Sequence, residues 1–202
     1  MRARLALAVS GTCCELREVK LGAKPLSMLE ASPKGTVPVL ILPNGGMIDE
    51  SLEIMRWALA QSDPEAWLAR DDAALIAMND GPFKHDLDRY KYPERHDSDA
   101  IEHRDRSLAF LRKLDQRISA GGQLCGSDPG LADVAIMPFV RQFAAVDRAW
   151  FEAQPLPHLQ TWLDGHIASD LFAAIMVRVT PWSPGDPPLL FPAREGGSAR
   201  YD

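Results

Sequence analysis

Two short runs near the start of the chain carry the residue types best suited to chemistry. Val37-Pro38 heads an apolar run, Val37 to Leu42, that stops at Pro43-Asn44-Gly45-Gly46. A proline there donates no backbone hydrogen bond and is open to a cis peptide. The Val37 N–H and C=O could then pair with an extended, peptide-like ligand, as an added strand would. The plainer alternative is an edge-strand proline. The second run is Asp49-Glu50-Ser51, where a short strand meets a helix. Ser51 is a good N-cap, and free N–H groups at a helix start attract a carboxylate. Glu50 beside it suits an ammonium group. Together the pair fits an α-amino acid head, and simple capping is the alternative.

Other reactive types are less pointed. Cys13, Cys14 and Cys125 form no disulfide framework and no C-x-x-C, which fits a reducing, cytoplasmic setting. Cys13 and Cys14 read as inert, partly buried strand residues. His85, His96 and His103 lie in the charge-dense stretch Asn79 to Arg106, and their spacings are not those of a ligand set. The expectation there is a solvated helix face and no metal.

These groups need a scaffold. Arg2 to Val9 reads as a helix stopped near Gly11, and Cys14 to Leu21 as an irregular strand. Lys24 to Ala31 is a short helical or irregular connection, and Ser32-Pro33-Lys34-Gly35 a turn. Val37 to Leu42 and Met47-Ile48 form a hairpin, and Ser51 to Gln61 is a helix. Beyond Ser62-Asp63-Pro64 the pattern is helical: Pro64–Arg70, Asp72–Lys84, Asp99–Ala120, Leu131–Ala149, Pro157–Ser169 and Ser169–Val177. The expected division is an α/β module over residues 1–62, an all-α module over 64–180, and a Pro/Gly-rich tail over 181–202, extended or disordered.

Composition sets the outer limits. The 202 residues are 46% hydrophobic and 25% charged, enough for a real core. The net charge of −6 argues against a grip on nucleic acid or an anionic membrane. No apolar run reaches the ~18 residues of a membrane span. Leu5 to Val9 is too short for an export signal.

Taken together, these residues resemble the glutathione S-transferase superfamily, in its thiol-type, omega-like bacterial branch. Ala31-Ser32-Pro33-Lys34-Gly35-Thr36-Val37-Pro38-Val39-Leu40 is similar to the family's N-P-x-G-x-V-P-x-L strand. Ile48-Asp49-Glu50-Ser51-Leu52-Glu53-Ile54 is similar to its E-S-x-x-I helix start. Gly126 and Leu131-Ala132-Asp133-Val134-Ala135 are similar to its G-x-x-x-(S/T)-L-A-D segment, with Gly130 in the usual Ser/Thr position. The resemblance runs from about Met1 to about Trp182.

It implies a thioredoxin-like first module that binds glutathione, and a helical second module. Val37, beside Pro38, would pair with the tripeptide backbone; Glu50 and Ser51 would hold the γ-glutamyl head. Lys24 would meet the glycyl carboxylate, with Lys34 as an alternative. Met78, Phe83, Tyr90, Tyr92 and Phe139 would form a second pocket for a small apolar electrophile. The activity implied is transfer of glutathione, or reduction of its mixed disulfide, by a homodimer. A non-catalytic binding or regulatory protein on the same scaffold is the alternative. The family's first strand and C-P-x-x motif have no counterpart here, so the catalytic group is expected upstream of Met1.

Overall fold

A computed structural model describes residues 1–193. Helix α1 spans Arg2–Ser10 and buries Ala3, Leu5, Ala6 and Leu7. Gly11, in the left-handed conformation at φ 66°, ends it by donating to the Ala8 carbonyl. Strand β1 (Cys14–Glu15) and the short helix α2 (Leu26–Ala31) follow. Strands β2 (Leu40–Ile41) and β3 (Met47–Ile48) then form the expected antiparallel hairpin, with Leu40 opposite Ile48 and Ile41 opposite Met47. Its turn works through Gly45 at φ 83°, and Asn44 Oδ1 accepts from the Gly46 N–H at 2.9 Å. Helix α3 (Ser51–Gln61) buries Ile54, Met55, Ala58 and Leu59 and packs on α1.

The strand expected over Cys14 to Leu21 shrinks to two ladder residues because its partner is a short segment from the far end of the chain. Strand β4 (Leu190–Phe191) pairs antiparallel with β1, placing Cys14 opposite Phe191 and Glu15 opposite Leu190. Next to it, the Leu16 N–H donates to Leu189 O at 2.7 Å, and the Trp182 N–H to Glu18 O at 2.8 Å. The Arg17 guanidinium lies 4.4 Å from the Trp182 ring centre. The expected tail over 181–202 is therefore pinned at Trp182 and over 189–191; residues 194–202 lie outside the described residues.

Residues 1–64, together with the chain from Asp170 onward, form one compact unit, and Glu65–Ser169 the other. The chain thus rejoins the first unit at Asp170, ahead of the expected boundary at 180. Helix α11 (Asp170–Ile175) packs on α1, and the Ile175 carbonyl accepts from Arg4 at 3.3 Å.

The second unit is helical, as the sequence implies. A 3-10 turn (Trp67–Arg70) stands where a helix over Pro64–Arg70 was expected. Ala66 there takes φ 52°, which breaks any longer helix. Helix α4 (Ala73–Met78) runs into a π turn (Asn79–Phe83) at Pro82, which lacks the N–H of a regular helical bond, and then into α5 (Lys84–Lys91). Helices α6 (Pro93–His96) and α7 (Ala100–Gly121) follow, then α8 (Leu131–Ala144), α9 (Arg148–Glu152) and α10 (Pro157–Ile167). Among the described residues no helix is long and apolar enough to cross a membrane.

Asp133 organises this core. It is fully buried, and its carboxylate accepts from the Leu124 N–H (2.8 Å), the Gly130 N–H (3.0 Å) and Trp162 Nε1 (3.0 Å). Burial raises its pKa, against the pull of those bonds. Gly130, which stands in the usual Ser/Thr position, has a packing reason. A Cβ there would sit 2.3 Å from Arg70 Cβ and 2.6 Å from Arg70 O.

Candidate glutathione-binding corner of the first unit

The bend before β2 sets the Val37–Pro38 peptide, which is cis. Val37 is 46% exposed, and among the described residues its N–H and C=O have no backbone partner. An exposed, unpaired extended peptide group can accept another chain alongside it. Gly35 makes the approach to this peptide. It takes φ 59°, where a side chain would be strained, and a Cβ would lie 3.1 Å from Leu29 Cδ2. The same point lies 3.8 Å from Lys24 Nζ, so the Lys24 ammonium flanks the bend. Lys24 itself is exposed and makes no ion pair among the described residues.

Lys34 ties this bend to the start of α3. Its Nζ lies 3.0 Å from Asp49 Oδ2 and 3.3 Å from Glu50 Oε1. The hydrogen bonds to Asp49, then Glu50, raise the Lys34 pKa. The sequence reading assigned Asp49 no role; as the first anion on Lys34 it helps set where Glu50 can turn. Its signal was its position beside Glu50, read as part of a helix start.

The start of α3 corrects one expectation. Ser51 is the first helical residue, and Glu50 occupies the N-cap in extended conformation (φ −109°, ψ 129°). No side chain caps this helix. The reason is local: the cap residue carries a carboxylate turned toward Lys34, leaving the first-turn N–H groups without the oxygen a Ser, Asp or Asn cap would supply. They remain available to a ligand anion.

The five sequence-predicted binding residues thus fall in three adjoining places. Val37 and Pro38 lie in the bend, Lys24 beside it, and Glu50 and Ser51 at the α3 start to which Lys34 ties the bend. The aromatic and Met set lies within the second unit. Phe83 (2% exposed) and Tyr90 are core residues, 5.7 and 5.1 Å from the Phe143 ring centre. Phe83 also packs on Phe110 at 4.9 Å. Tyr92 is half-buried, with Arg95 over its ring at 4.2 Å. The Met78 sulfur accepts from Lys113 Nζ at 3.3 Å, and Phe139 is half-buried on α8. A groove of about 550 Å³ lies elsewhere in this unit, against Trp162, Gln123 and His166. Burial drives the His166 pKa there down to about 4.

Neither Cys14 nor Cys125 supplies an activated nucleophile. Burial raises the Cys14 pKa, with Cys13 adding to it and Arg4 opposing; burial, then Asp133, raises that of Cys125. A nucleophilic thiolate needs the opposite shift. Cys13 is exposed, which corrects its expected partial burial. The solvated face expected around the histidines also fails at one point. His103 is buried, and its Nδ1 is 2.6 Å from Asp86 Oδ1. The missing signal was Asp86, whose helix packs against that of His103.

Comparison with known proteins agrees with this architecture. The glutathione S-transferase N-terminal domain profile matches residues 1–66, and the C-terminal domain profile matches residues 65–165. The chain belongs to the glutathione S-transferase family, with a thioredoxin-like N-terminal domain and a helical C-terminal one. The probable glutathione S-transferase BZ2 of Zea mays is 28% identical over 188 residues, covering 80% of this chain and 78% of that protein. The bacterial glutathione S-transferase BphK, solved as a ternary complex, is similar at TM-score 0.74 and 20% identity, over 87% of this chain and 92% of that one. A glutathione transferase family member from Pseudomonas fluorescens, solved with two glutathione bound, reaches TM-score 0.71 at 15% identity over 86% of each chain.

Proposed function

We propose that this chain binds glutathione at the corner formed by Val37, Glu50, Ser51 and Lys24, and presents it to a small apolar electrophile. The observation that carries the reading is the Lys34 bridge to Asp49 and Glu50, which holds an unpaired, exposed Val37 peptide next to an uncapped helix start. Glutathione matches these groups in order. Its backbone pairs with Val37. Its γ-glutamyl carboxylate meets the α3 N–H groups and the Ser51 hydroxyl. Its ammonium takes Glu50 in exchange for Lys34, and its glycyl carboxylate meets Lys24. The Pseudomonas fluorescens relative, solved with glutathione, supports the ligand class.

The reaction in this reading is transfer of glutathione, or reduction of its mixed disulfide. Its nucleophile is the ligand's sulfur, not Cys14 or Cys125, whose pKa values are raised. The working form is a homodimer in a cytoplasmic, reducing setting, which suits three free cysteines; sedimentation measures the first point.

Calorimetric titration with glutathione tests the proposal. Binding is expected, and Ser51→Ala and Glu50→Gln should each weaken it about tenfold, the worth of one charge-assisted hydrogen bond. No binding at millimolar glutathione, or binding indifferent to both substitutions, overturns it. Conjugation of an aryl halide by the same preparation then separates an enzyme from a binding protein.

A further inference from the structure

Where α5 and α7 pack within the second unit, three side chains converge that the glutathione site does not use. His85 and Asp86 are neighbours on α5, and His103 faces them from α7. Asp86 Oδ1 lies 2.6 Å from His103 Nδ1 and 3.3 Å from His85 Nδ1. One donor atom from each of the three lies within 4.8 Å of the others. The His103 and Asp86 side chains are 8% and 14% exposed, and that of His85 is 52% exposed.

A plain helix-to-helix clamp explains two of these residues. The His103–Asp86 hydrogen bond joins α5 to α7, and the His103 carbonyl accepts from Ser107 Oγ at 2.9 Å. It does not explain His85. That ring stands edge-on to His103 at 5.8 Å and directs its Nδ1 at the oxygen already taken by His103. Two imidazoles thus crowd one carboxylate oxygen. A divalent cation relieves this by bonding all three groups at once.

The dimensions and charges fit. With ligand bonds of ~2.0–2.2 Å, tetrahedral donors stand roughly 3.3–3.5 Å apart. The His85–Asp86 distance of 3.3 Å already has that value, and the His103–Asp86 hydrogen bond at 2.6 Å must open toward it as its proton leaves. The nearby cations have other partners. Lys84 pairs with Asp88 at 2.8 Å, Arg106 with Glu102, and Arg89 bonds the His85 carbonyl. Arg106 approaches Asp86 only to 3.9 Å.

We infer that His85, Asp86 and His103 form a binding site for a first-row divalent cation of the zinc type. Two imidazole nitrogens and one carboxylate oxygen select against magnesium and calcium, which take oxygen ligands. The half-exposed His85 leaves a coordination position facing solvent, and the buried pair anchors the ion between the helices.

The test uses the whole chain, stripped with a chelator and titrated with Zn²⁺ against a chromophoric competitor. One equivalent should bind. His85→Ala removes an exposed ligand without disturbing the clamp, so its circular dichroism and Tm in the metal-free state should match the parent. Its zinc affinity should fall by more than about 100-fold, beyond the ~10–100-fold cost of a group outside the ligand set. Co²⁺ should give the visible absorption of a low-symmetry site, absent in His85→Ala. No zinc uptake at ~100 µM, a concentration any specific site should reach, overturns the inference. So does uptake that His85→Ala leaves unchanged.

Discussion

The helices of the two units begin differently. In the second unit the starts of α4, α7, α8 and α9 are closed by the chain itself. Asp72 Oδ1 accepts from the Leu75 N–H on α4, Asp99 Oδ1 from Ile101 and Glu102 on α7, and Asp147 Oδ1 from Trp150 on α9. At α8, Asp133 reaches back to the Gly130 N–H from inside the helix. In the first unit α3 begins with no side-chain cap, and the acid at its N-cap is turned to an exposed lysine. The same residue class does opposite work. A buried aspartate with backbone partners is committed to the fold, whereas an exposed glutamate held by a surface lysine is weakly bound and open to exchange. An uncapped helix start costs stability and leaves a place for a ligand anion.

The comparison breaks first at its strongest point. Asp133→Ala would strand the Leu124 and Gly130 N–H groups and remove one Trp162 partner in the core. The expected cost is about 3–5 kcal/mol, read by denaturant unfolding, because each buried unmet donor costs ~1–3 kcal/mol. A loss no larger than that of a surface substitution would mean the second unit does not depend on this node.

His166 sharpens the contrast through pH. Its folded pKa of about 4 lies below its ordinary value of 6.5. Between those values the unfolded chain binds more protons, so stability falls as pH falls from about 6.5 to about 4. Above that window the group adds no slope. His166→Gln should flatten this part of the stability profile, by on the order of 2 kcal/mol across the window.

The first unit has one closed edge, made by the tail. Truncation after Thr180 removes β4 and the Trp182 bond, and should cost about 1–2 kcal/mol, a few net hydrogen bonds. Faster hydrogen exchange at the Leu16 amide would report it directly. Unchanged exchange would mean that the tail strand does not protect β1.

The smallest effect exchanges the two kinds of helix start. Asp99→Ala should lose about 1 kcal/mol, while Glu50→Ser gains up to that amount by capping α3. The gain should come with weaker glutathione binding, since the new cap takes the N–H groups and the acid is gone. A Glu50→Ser protein that is both more stable and a better binder would refute the contrast.

Much of the scaffold was legible from local signals. Asn44-Gly45 demanded a turn that only a few residue types make, and the hairpin register followed. Gly11 stopped α1, and the helical spacing of apolar residues gave α3 and the helical second unit. The motif segments around Pro38, Ser51 and Asp133 carried the family. Ser51 was misplaced by one position because Glu50, not a short polar cap, precedes the helix. That difference turns on a side chain choosing Lys34, which helical periodicity does not encode.

The sequence by itself determined the elements whose causes lie within a few residues: turn conformations, helix stops, apolar periodicity. Only the tertiary structure decided what depends on distant partners. Cys14 meets Phe191, Arg70 excludes a side chain at Gly130, and His103 reaches an aspartate on another helix. The physical reason is that backbone preference acts along the chain, whereas close packing and the pairing of buried polar groups act across space.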